Sequence, residues 1–169
     1  ELDERVTRVA EQFFPELCEK NKDPRARLHF TDGIQWVADA KPESYDVIIV
    51  DSTDPVGPAA GLFSEAFYQN CHRALRPRGI VVGQSESPLF HPDLIVAMHQ
   101  AMRTAGFSDT ATRQFHQVTY PSGWWSNTMA CKDGSLDAFR EDAAAGKDFP
   151  TRYYNAAMHT AARALPEFL

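Results

Sequence analysis

The stretch Tyr45–Phe63, YDVIIVDSTDPVGPAAGLF, decides the fold. Its first six residues are a run apolar on both faces, as a central parallel strand must be when helices cover both sides of its sheet. The run ends in two carboxylates, Asp51 and Asp54, followed by a loop with two prolines and two glycines. An aspartate after a strand is most often the N-cap of the next helix or an Asx turn. That role does not account for both acids, because Pro55 follows Asp54 and the next helical pattern starts only near Ser64.

On either side, short apolar runs alternate with helical patterns. RLHF precedes Thr31-Asp32-Gly33, a helix is predicted from Ser64 to Leu75, GIVVGQ follows, and another helix spans Pro92 to Gly106. This βαβ rhythm predicts an α/β protein, a Rossmann-like doubly wound sheet that is mostly parallel. In the Ser64 helix the cap is Ser64, the inward positions are Phe67, Tyr68, Cys71, Ala74 and Leu75, and Pro77 and Gly79 provide the stop. DTATRQFHQVTYPSGWWSNTMACK, from Asp109, reads as an antiparallel C-terminal hairpin turning at Pro121-Ser122-Gly123. The polar segment Asp133–Pro150 is an excursion before a terminal helix at Tyr153–Leu165. The opening, ELDERVTRVAEQFFPEL, enters a helical pattern at once and predicts a chain that starts inside a domain.

The 169 residues, 43% hydrophobic, suffice for one catalytic-size domain spanning 1–169. A net charge of −6 disfavours a nucleic-acid backbone and suits a cationic ligand. Cys18, Cys71 and Cys131 are scattered and odd in number, and the six histidines form no ligand spacing, so neither a disulfide framework nor a metal site is expected. With no long apolar span or signal-peptide pattern, the expectation is a cytoplasmic protein without a membrane partner.

Ligands of open α/β sheets bind outside the carboxyl ends of the strands, and Glu1, Asp32 and Asp51 fall at three such ends. An acid at the second strand end commonly takes ribose hydroxyls, a role that suits Glu1.

ELDERV, TDG, YDVIIVDSTDPVGPAAGLFSEAFY, GIVVGQSES, TYPSGWWS and RYYNAAMHTAARALPEF, in this order over nearly the whole chain, resemble the catalytic domain of the spermidine synthase family of polyamine aminopropyltransferases. The resemblance implies transfer of an aminopropyl group from decarboxylated S-adenosylmethionine, a co-substrate rather than a tightly bound cofactor, to putrescine. The products are spermidine and 5'-methylthioadenosine. It further implies Asp51 as proton acceptor, with Tyr120 and the Ser52 backbone carbonyl placed at the attacking amine. Asp54 and Gln84 would bind the acceptor, and Glu86 is a candidate on position alone. Donor contacts would come from Glu1, Asp32 and Gly33 at the nucleoside, from Pro58, Ala59 and Leu62 around adenine and thioether, and from Asp51. Trp124 and Trp125 either line the acceptor pocket or, as is commoner for hairpin aromatics, serve core or interface. A homodimer or homotetramer is implied as well.

The family's first strand, glycine-rich loop and N-terminal β-region have no counterpart here, so the fold is expected to be N-terminally incomplete and the segment alone weakly active or inactive. Two other readings share the sheet: an S-adenosylmethionine-dependent methyltransferase, which has no standing need for D-x-x-D with a downstream tyrosine, and a non-catalytic assembly domain.

Overall fold

The computed structural model describes residues 1–169, in two compact units, Glu1–Ala40 and Lys41–Leu169. In the first, α1 (Glu4–Phe13) is capped by Asp3, whose carboxylate accepts the Arg5 backbone N–H. After it come α2 (Pro15–Cys18), a 3-10 turn at Glu19–Lys22, and α3 (Gly33–Asp39). RLHF, expected as a strand, is not one. A strand needs a ladder, and around this segment the structure shows one such bond, from Thr31 N–H to the Glu1 carbonyl at 2.9 Å.

The second unit holds a four-stranded sheet in the order β1-β2-β4-β3: β1 (Tyr45–Val50), β2 (Leu75–Gln84), β3 (Asp109–His116) and β4 (Trp124–Cys131). β1 and β2 are parallel, while β4 runs antiparallel to both β2 and β3, so three of the four strands point the same way. The fold is α/β with an antiparallel C-terminal hairpin, as the patterning predicts. β1, however, stands at the edge of this sheet rather than at its centre. On one face Val47 and Ile49 are 53% and 75% exposed, because no element of this unit packs over them, and the parallel ladder to β2 is the strand's only one in the sheet.

The core lies between one sheet face and two helices, α4 (Glu65–Ala74) and α5 (Pro92–Thr104). Ser64 caps α4 by accepting the Phe67 N–H at 3.2 Å, and all five predicted inward residues are buried. Val81 of β2, Met98 and Met102 of α5, and Ala130 of β4 are buried in the same core. The helix stops at Ala74, earlier than the Pro77-Gly79 signal, because Leu75 is already extended and opens β2. Gly79 is required there: a Cβ would sit 2.8 Å from the Arg76 carbonyl oxygen. Leu75 is fully buried, so Leu75→Ala is expected to cost about 2–5 kcal/mol, read as a lower urea midpoint at unchanged m-value.

The C-terminal segment covers the other face, where Ile80, Val82 and Met129 look across a cavity at Leu136, Tyr154 and Met158. It carries α6 (Glu141–Ala145) inside the polar excursion and α7 (Ala156–Ala161). The terminal helix is shorter than Tyr153–Leu165 because the Asn155 side chain caps it, accepting the Met158 N–H at 2.8 Å. No helix is long and apolar enough to cross a membrane.

Candidate active site

The carboxyl ends of β1 and β2 lie side by side. Their ladder ends with Val50 opposite Gly83, which sets Asp51 and Gln84 as the next residues on neighbouring strands. Asp51 is exposed and caps no helix: the loop after it leads into a 3-10 stretch, Gly57–Phe63, that contains Pro58 and Leu62, and α4 has its own cap in Ser64. Ser52 buries its side-chain hydroxyl without a hydrogen-bond partner, an arrangement that costs about 1–3 kcal/mol.

Beyond β2 the chain turns through Glu86, whose φ of +64° lies in the left-handed region unfavourable for a residue with a Cβ. The turn is bolted to β4, where buried Ser126 donates its hydroxyl to the Glu86 carbonyl at 2.9 Å. It brings the Glu86 carboxylate back onto Gln84, whose amide nitrogen donates to Glu86 Oε1 at 3.1 Å. The Gln84 oxygen in turn accepts the indole N–H of Trp125 at 3.1 Å. Tyr120 stacks on Trp125 with ring centroids 4.5 Å apart and planes 25° apart. Ser122 of the TYPSG turn ties this hairpin loop to the β2 turn through Ser87, hydroxyl to hydroxyl at 2.9 Å.

Asp54 joins the group electrostatically, because its carboxyl lies near enough to that of Glu86 to push it upward. Asp54, Glu86, Gln84, Trp125 and Tyr120 therefore form one connected cluster drawn from three separate stretches of sequence. Glu86 is only 3% exposed, and burial is the main reason its carboxyl is raised above the ordinary range. The Gln84 hydrogen bond opposes this, Asp54 adds to it through its charge, and His91, with Nδ1 3.9 Å from Glu86 Oε2, counters weakly. Two neighbouring carboxyls repel when both are ionised, and an alkylammonium between them would relieve that repulsion.

This strain is measurable. A carboxyl with a folded-state pKa above its unfolded value stabilises the fold fully below the unfolded pKa and loses that contribution as pH rises through the folded one. Glu86→Gln is therefore expected to melt at a higher temperature than the parent at pH 7, with the difference vanishing below about pH 4. Parallel melts across that range check it, and an equal difference at both ends would remove Glu86 as the source.

Glu1, Asp32 and Gly33 belong to the first compact unit. Within it the Thr31–Glu1 backbone bond places Glu1 beside the Asp32-Gly33 turn. Asp32 does what the simplest reading of an aspartate before a helix requires: its carboxylate caps α3, accepting the Ile34 N–H at 2.8 Å and the Gln35 N–H at 3.4 Å. The Glu1 carboxylate accepts the Asp3 N–H at 2.9 Å.

Sequence reasoning left Glu86 on position alone and gave Trp125 mainly to core or interface. The nearest local signal was the polar run QSES directly after a buried strand. Trp124, in contrast, turns away from this group and meets Phe168 edge to face.

Comparison with known proteins places the chain among relatives of one family. The spermine/spermidine synthase domain matches residues 1–140. A polyamine aminopropyltransferase of Methylococcus capsulatus is 66% identical over 168 residues, covering 99% of this chain and 59% of the relative. One of Thioalkalivibrio sulfidiphilus is 60% identical, with 99% of this chain and 60% of the relative covered. The chain thus spans about three-fifths of the length of the curated relatives it matches. Among solved structures, a spermidine synthase in complex with the transition-state analogue AdoDATO superposes with a TM-score of 0.92 at 32% identity, covering 99% of this chain and 57% of that one. The spermidine synthase of Thermotoga maritima gives 0.89 at 32% identity, with 99% and 56% covered. With its family domain matched over most of its length and its fold shared with two spermidine synthases, the chain belongs to the spermine/spermidine synthase family.

Proposed function

We propose that the protein carrying this chain transfers the aminopropyl group of decarboxylated S-adenosylmethionine to putrescine, giving spermidine and 5'-methylthioadenosine. The observation that carries this reading is the cluster at the ends of β1 and β2: the buried Glu86 carboxyl, raised in part by neighbouring Asp54 and joined to Gln84, Trp125 and Tyr120. A diamine with an ammonium at each end suits such a slot. One end can pair with Asp54 and Glu86 while the other reaches toward Asp51 and Tyr120.

The electrophile is a methylene carbon beside a sulfonium, so the thioether leaves neutral and no general acid is needed. The new C–N bond forms as the C–S bond breaks, and the nitrogen gives up one proton. The obstacle is the amine, which with a pKa of about 10 is free in roughly one molecule in a thousand at pH 7. Asp51 accepts that proton, with Tyr120 and the Ser52 carbonyl orienting the nitrogen for in-line attack. A carboxylate is intrinsically a far weaker base than an alkylamine, so alignment by these helpers matters as much as basicity. Glu1 holds the ribose hydroxyls and Gly33 admits the adenine. Asp32 takes the exocyclic amine through carboxylate capacity left over from capping α3. Pro58 and Leu62 flank adenine and thioether. Residues 1–169 then act as one part of a catalytic domain, in a cytoplasmic homodimer or homotetramer that needs no tightly bound cofactor.

The deciding experiment incubates the full-length protein with decarboxylated S-adenosylmethionine and putrescine. Methylthioadenosine and spermidine appearing in equal amounts support the reading. Methyl transfer from S-adenosylmethionine would assign a methyltransferase instead, and binding of neither nucleoside nor diamine by calorimetry an assembly role.

A further inference from the structure

We propose that Trp125 is a positioning residue for the acceptor: its indole N–H fixes the rotamer and the amide face of Gln84, and Gln84 in turn fixes Glu86. The inference rests on the function proposed above and goes beyond it by assigning a residue that acts through another.

The Gln84 amide is determined on both sides. Its oxygen accepts the Trp125 indole N–H at 3.1 Å and the Glu86 backbone N–H at 3.3 Å, and its nitrogen donates to Glu86 Oε1 at 3.1 Å. Turned by half a rotation, the amide would set its NH2 against two N–H donors and its oxygen against a carboxylate, so all three bonds would be lost together. An indole N–H only donates, which makes Trp125 a one-way reference for the amide. Tyrosine or histidine at that position could accept as well as donate and would not enforce one face.

Trp125 is itself well anchored. It is 9% exposed and lies in β4 opposite Phe115 of β3. The next residue, Ser126, is the one that holds the Glu86 carbonyl. Two neighbouring residues of one strand thus fix the Glu86 backbone and, through Gln84, its side chain. A ring face of Trp125 stacks on Tyr120, which is 49% exposed. A phenyl ring can keep that stack while lacking the N–H, and this separates the two contacts.

The test is Trp125→Phe in the full-length protein. Loss of one orienting hydrogen bond is expected to raise the putrescine KM about 3- to 10-fold, with kcat and the KM for decarboxylated S-adenosylmethionine within about twofold of the parent. In a Gln84→Met background, where no amide remains to be oriented, the same substitution should change the putrescine KM by less than about twofold. Replacing Trp125 by its benzothienyl analogue, which exchanges only the N–H for sulfur, gives the same split and serves if the phenylalanine variant melts early. An unchanged putrescine KM, or an equal rise in both backgrounds, overturns the proposal. A parent protein that transfers no aminopropyl group overturns the functional reading first, so the two failures are told apart.

Discussion

Asp51→Asn is expected to lower kcat by about 10²–10⁴-fold while the protein melts as before and both substrates still bind. Asp51 is the first residue past the β1 ladder, exposed and without a capping duty, so the fold does not need its charge. Asparagine preserves its size and hydrogen-bonding reach but cannot take up the proton that the attacking amine must shed. Residual turnover comes from bulk base acting on a correctly held amine. The measurement is methylthioadenosine release at saturating concentrations of both substrates. Turnover close to that of the parent would remove Asp51 from the proton-accepting role and leave it as a binding residue.

Asp54→Asn should act on the other kinetic axis, raising the putrescine KM about 10- to 100-fold with kcat altered no more than about threefold. Hydrogen bonds to a charged partner contribute about 1.5–3 kcal/mol, and this one is made equally in ground and transition states. On the proposed reading the effect is less than a full loss of affinity, because Glu86 would remain as a second anion beside the same ammonium. Relieved of Asp54, Glu86 ionises more readily, so this variant should also be slightly more stable than the parent at neutral pH. A fall in kcat at constant KM would place Asp54 in the chemical step instead. Together the two variants assign separate work to two carboxylates three positions apart.

Much of this was legible from the chain alone. β1 follows from an unbroken apolar run, and α4 follows from a serine cap and inward residues at spacings of three and four. The β3–β4 hairpin follows from a turn sequence between two β-prone runs. Each of these depends on residues within a turn or a pleat of one another, so local pattern carries it. The doubled aspartates were legible for a complementary reason: no local structural duty explained them, and the structure gives them none. RLHF failed because strand propensity produces a strand only where a ladder exists. For the same reason β1 could be read as a strand while its place at the sheet edge could not.

The sequence by itself determined the α/β class, the main core helix, the family resemblance and the candidates Asp51, Asp54, Gln84 and Tyr120. Tertiary structure alone decided that Glu86 turns back onto Gln84 from a left-handed backbone, and that Trp125, 41 residues away, holds the same amide. The physical reason is range. Periodicity and capping act over a few residues, whereas a hydrogen bond between two strand ends exists only after the sheet has brought them together.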